Sequence, residues 1–82
     1  MSADQTTNTD VVVYVRLLDE GVDVWRPVPA AVLADGTFRL GEPEDYDPET
    51  ERWEFPPRTT VRCQTKHFAD GREGLVAVQA AA

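Results

Sequence analysis

Apolar side chains recur at every second position through most of this chain, which is the period of a β-strand and not of a helix. The run VVVYVRLL at 11–18 is rich in β-branched residues and apolar on both sides, the composition of a central, well-covered strand. VDVW at 22–25 alternates cleanly. TFRL at 37–40 sets Phe38 and Leu40 on one face and Arg39 on the other. RWEF at 52–55 directs Trp53 and Phe55 inward, with Arg52 and Glu54 outward. TVRCQT at 60–65 separates Val61, Cys63 and Thr65 from Arg62 and Gln64, and LVAV at 75–78 supplies a last apolar strand.

The breaks between these runs agree with them. DEG at 19–21 and ADG at 34–36 and 69–71 are turn signals, because Asp and Gly tolerate left-handed backbone. Pro27, Pro29, Pro43, Pro48, Pro56 and Pro57 lie between or at the ends of runs. Proline has no N–H to give to a ladder, so these positions mark edges, bends and loops. Residues 29–34 read as a bend in a long second strand rather than a turn of helix. Six short strands with tight turns predict a small, strongly bent sheet. Left open, that sheet would keep two unpaired edges and one uncovered apolar face, and no amphipathic helix is available to cover it. Closure into a barrel buries the face. The expected organisation is a disordered N-terminal tail at 1–10, one β-barrel domain at 11–79 and a frayed C-terminus at 80–82.

With 82 residues the chain holds one domain. A domain of this size buries only about 60% of the surface its unfolded chain exposes, so a roomy substrate pocket is not expected. The net charge is −7, from 15 acids and 8 bases. Most of it lies in 42–54, where Glu42, Glu44, Asp45, Asp47, Glu49, Glu51 and Glu54 face one base, Arg52. The overall charge opposes nucleic-acid binding. The single cysteine, Cys63, rules out an internal disulfide and a cysteine-built zinc site. The start, MSADQTTNTD, is polar, and no apolar run approaches the ~20 residues of a membrane helix. A cytoplasmic protein with no membrane association is expected.

Catalytic chemistry has little to build on. The only serine is Ser2, in the expected tail. The only histidine, His67, follows Cys63 by four residues, which in a strand is about 13 Å and far beyond thiol–imidazole reach. In the acidic segment 42–51, an EF-hand register counted from Asp45 puts Thr50 where glycine is needed and Pro56 where glutamate is needed. The glycines are isolated in turns, with no phosphate-cradling loop before a helix. No enzyme activity, metal or cofactor is expected.

Trp25, Tyr46, Trp53 and Phe55 flank the proline-rich edges and the acidic segment. Trp53 and Phe55 are expected in the core, Trp25 at the boundary of core and surface, and Tyr46, amid acids, exposed. The motifs LLDEG (17–21), VWRPV (24–28) and WEFPP (53–57), with VRC and LVAV beyond them, resemble a family of small bacterial proteins over about residues 13–78. That family has no activity we can carry over. The strand order also resembles SH3-like and Tudor-like small barrels. The resemblance implies an all-β fold, a small SH3-like barrel of five to six short antiparallel strands, and a bacterial source. A glycine often follows the Pro-Pro pair in such proteins. Arg58 stands there in this chain, so a different turn is expected.

Barrels of this kind use aromatics near loops to hold proline-rich segments or cations. The candidate binding residues are therefore Trp25, Arg26, Asp45, Tyr46, Asp47 and Trp53. The expected function is a non-catalytic module that engages a protein or peptide partner through an aromatic and acidic surface, as a monomer or weak homodimer. Two alternatives stand beside it. One is an acidic inhibitor or decoy that mimics nucleic-acid charge. The other is an RNA- or DNA-binding barrel using Arg58, Arg62, Lys66 and Arg72.

Overall fold

The computed structural model describes residues 10–81, so the expected tail lies outside the described residues apart from Asp10. Five strands form: β1 (Asp10–Arg16), β2 (Trp25–Val32), β3 (Phe38–Leu40), β4 (Thr60–His67) and β5 (Glu73–Ala80). They close into a barrel in chain order, with no helix among the described residues. The fold is all-β, as expected, and consistent with an SH3-like small barrel. Accordingly, no helix among the described residues is long and apolar enough to cross a membrane.

One seam departs from the antiparallel expectation. β1 and β5 run parallel, pairing Val13 with Leu75 and Tyr14 with Val76. The cause is the strand count. An up-and-down order of five strands sends the first and last in the same direction, so the closing pair must be parallel. β5 reaches β1 by bending at a bulge. Arg62 pairs with Gln79 but Cys63 pairs with Ala77, which leaves Val78 as an extra residue.

Alternation then fills the interior. Val13, Val15, Val28, Ala30, Leu40, Trp53, Val61 and Ala77 form the buried core, with Leu17, Phe38, Phe55 and Leu75 packed against it. The two ADG sequences build the same turn twice. Leu33 and Phe68 each donate their N–H to the carbonyl four residues on, at Thr37 and Arg72. Gly36 and Gly71 hold φ of 85° and 91°. The Asp35 and Asp70 carboxylates each accept the N–H two residues later. Asp35 also accepts from the hydroxyl of Thr37, which satisfies the one buried polar side chain in the barrel among the described residues.

Two expected strands changed. Alternation predicts a strand at 22–25, but β2 begins only at Trp25. Asp19 and Gly21 take left-handed φ of 63° and 78°, the loop stays wide, and Val22 is left exposed. From there β2 is one long strand rather than a turn of helix, and it carries Pro27 and Pro29 opposite Tyr14 and Val12 of β1. In a strand the N–H and C=O of one residue point the same way. The Pro29 carbonyl accepts from Gly41 N–H on the side away from β1, so the donors missing at 27 and 29 face that side too. β3 pairs with only Ala30, Ala31 and Val32, so no ladder partner is lost.

RWEF forms no full strand. Trp53 makes one isolated bridge, to Leu17, flanked by Leu18 N–H to the Arg52 carbonyl and Glu54 N–H to the Arg16 carbonyl. Pro56 and Pro57 stop the ladder there. After them Arg58 adopts φ of 73°, so the turn keeps the conformation a glycine would take. A side chain pays roughly 1–2 kcal/mol for that backbone. Arg58 meets it while donating its N–H to the Leu40 carbonyl and pairing with the exposed Glu42 carboxylate. In urea unfolding, Arg58→Gly is expected to match or exceed the native chain's stability, and Arg58→Val to fall below it by about 1–2 kcal/mol. An Arg58→Val protein as stable as the native chain would refute the strain.

Candidate functional site

The six residues singled out from the sequence separate into two places. Arg26 shares its strand face with Val28 and Ala30, which carries its side chain to the mouth of the barrel. There Arg26 Nε donates to Glu51 Oε1 at 3.2 Å and Arg26 Nη2 donates to Asp45 Oδ1 at 2.6 Å. The Trp53 indole N–H donates to the same Glu51 oxygen at 2.8 Å. Tyr46 is half-buried rather than exposed, with its ring edge-on to Trp53 at a centroid distance of 4.8 Å. An aromatic neighbour and a covered core edge outweigh the charged sequence around it. Asp47 is spent on the loop itself: its carboxylate accepts Glu49 N–H and its carbonyl accepts the N–H groups of Thr50 and Glu51.

The structure therefore joins Arg26, Asp45, Tyr46 and Trp53, with Glu51 as the link that sequence reasoning did not single out. The signal for Glu51 was its place two residues before an inward tryptophan, on the same face at a strand period. The hydrogen bond from Arg26 is the main force holding the Asp45 carboxyl below its ordinary value, and the same bond raises Arg26. This cluster ties the acidic loop to β2 with groups already committed to one another.

Trp25 goes elsewhere. It stands on the outer side of β2, with its ring edge toward Phe68 at 6.3 Å between centroids. Phe68 lies 5.0 Å from Tyr14, an outward residue between the buried Val13 and Val15. Together with Ala69, Asp70 and Arg72 these rings line a groove of about 350 Å³. Lys66 Nζ lies 5.8 Å from the centre of the Trp25 ring, within cation–π range. Gly74 is the floor. A Cβ there would fall 2.8 Å from the Tyr14 ring and 3.2 Å from the Phe68 ring. At one rim the Asp70 carboxylate is lowered, first by the Arg72 N–H and then by the Arg72 guanidinium, which Asp70 raises in turn.

Tyr14 and Phe68 were missed. VVVYV reads as apolar on both faces, and the phase that isolates Tyr14 appears only once Val13 and Val15 are known to be inward. Phe68 adjoins a turn with no periodic neighbours.

Cys63 and His67 do not form a reactive pair. Cys63 packs against the core and burial pushes its thiol up to about 11, while His67 is exposed and pairs with Glu73. Among the described residues no three His, Cys, Asp or Glu side chains converge as metal ligands would. Comparison with protein-family models, curated proteins and solved structures finds no match.

Two outcomes follow from these environments. The Asp45 carboxyl is depressed in the folded state, so its stabilisation is present above the ordinary carboxylate value of 3.8 and is lost as pH falls through the lower folded value. Asp45→Asn is expected to flatten the acid limb of the urea midpoint against pH below about pH 4. A limb that superposes on the native one would refute this. A thiol moved from 9.0 to about 11 carries roughly a hundredfold less thiolate near pH 8. Iodoacetamide is therefore expected to modify Cys63 about a hundredfold more slowly than the same cysteine in the urea-unfolded chain. Equal rates would refute its burial.

Proposed function

We propose that this barrel is a non-catalytic binding module that takes an extended segment of a protein partner into the outer groove of Tyr14, Trp25 and Phe68. The observation that carries this reading is that three aromatic rings meet outside a barrel whose core is complete without them. Flat rings offer large contact area at low conformational cost, and aromatic grooves on small barrels suit extended or proline-bearing peptides. The acidic rim lies outside this site, because Arg26, Asp45 and Glu51 satisfy one another. Of the six candidates, Trp25 remains in the binding surface.

Charge mimicry fits less well, since the acids concentrate in 42–54 and do not spread over one face. The non-catalytic reading is supported by a Cys63 thiol that burial pushes up to about 11 and by a His67 paired with Glu73 instead. A cytoplasmic setting goes with the lone unpaired cysteine.

The test is affinity purification from host lysate with the native chain, Trp25→Ala, Phe68→Ala and a loop variant, Asp47→Asn/Glu49→Gln. Thermal melts confirm that each variant is folded. The groove variants are expected to lose the recovered partner and the loop variant to keep it. Equal recovery by all four proteins would overturn the proposal.

A further inference from the structure

We infer that the segment bound in this groove is acidic, with a carboxylate beside its apolar anchor and a second about four residues further along. The inference rests on the groove being the binding surface. It comes from the charges that continue away from the groove along β4.

The outward positions of β4 are Thr60, Arg62, Gln64 and Lys66, set opposite the inward Val61 and Cys63. Across the ladder, Arg39 of β3 pairs with Thr60, which makes Arg39 the diagonal neighbour of Arg62. No acid occupies an outward position on β3 or β4, in a chain where acids outnumber bases 15 to 8. Among the described residues, Arg39, Arg62 and Lys66 are in no ion pair, whereas Arg16, Arg26, Arg52, Arg58 and Arg72 each have a carboxylate partner. Asp35 feels Arg62 only weakly and is committed to Thr37.

This row begins at the groove, because Lys66 is the cation beside Trp25. From Lys66 to Arg62 is four residues of strand, about 13 Å. An extended ligand has the same rise per residue. With its apolar side chain among the rings, one carboxylate meets Lys66 and another, about four residues on, meets Arg62 and Arg39.

Two other occupants fit this row less well. A nucleic-acid strand brings one charge per nucleotide against three unpaired cations, on a protein of net charge −7. The acidic loop of a second copy is not an extended segment, because turns within 43–51 fold it and Arg26 ties it to its own barrel.

The experiment selects random twelve-residue displayed peptides on the full chain, then measures the winners by fluorescence anisotropy. Selection is expected to enrich a proline or large apolar residue with Asp or Glu next to it and again about four positions away. Arg62→Glu and Lys66→Glu should each weaken the winners about tenfold, and more at low salt than at high. Both residues are exposed, and thermal melts check that the variants fold. Enriched peptides that are neutral or basic, or that bind Lys66→Glu as tightly as the native chain, would overturn the acidic partner while leaving the groove intact. Tighter binding of a fifteen-residue oligothymidine than of any selected peptide would also overturn it. Selection no better on the native chain than on Trp25→Ala would instead overturn the groove itself.

Discussion

Two parallel residue pairs, Val13 with Leu75 and Tyr14 with Val76, close this barrel, and both its interior and its outer groove depend on them. Adjacent residues of a strand face opposite ways. The closure that sends Val13 into the core therefore sends Tyr14 outward, over Gly74 and against Phe68. Burial of valines fixes the register, since a slip of one residue would exchange the two faces. The position of the aromatic groove is thus set by packing on the other side of the sheet.

A second constraint acts at the mouth. No helix among the described residues caps the barrel, and Trp53 covers that end from an irregular segment. An indole brought that deep needs an acceptor for its N–H. Glu51 supplies it, and Arg26 then compensates the carboxylate. The acidity of the loop is in part a consequence of anchoring a tryptophan.

Where one face of a strand is buried, the sequence was legible. Phe38 and Leu40, and Val61 and Cys63, lie inward as alternation required, whereas the phase of Val13 and Val15 is set by the barrel. Closure was legible too, from the lack of any helix to cover an apolar face. VDVW and RWEF misled because alternation over four residues does not say whether a neighbouring strand is within reach. Val22 is held off by a wide left-handed loop, and the residues around Trp53 find one bridge instead of a ladder. The site was half legible for a related reason. Trp25 and Arg26 are adjacent in sequence and point to opposite sides of the wall, so one joins the groove and the other the mouth. Links such as Glu51 to Trp53 and Tyr14 to Phe68 are three-dimensional, and composition does not encode them.

The two prolines of β2 have an effect beyond this single molecule. The stretch of β2 that β3 leaves uncovered would, with ordinary residues, present free amide donors to any passing extended chain. Pro27 and Pro29 remove those donors on that side while their rings stay exposed. A foreign strand that tried to zip onto this border would find the donors at 27 and 29 missing and the Pro29 carbonyl already taken by Gly41, an obstacle to edge pairing set by covalent structure and independent of pH or salt.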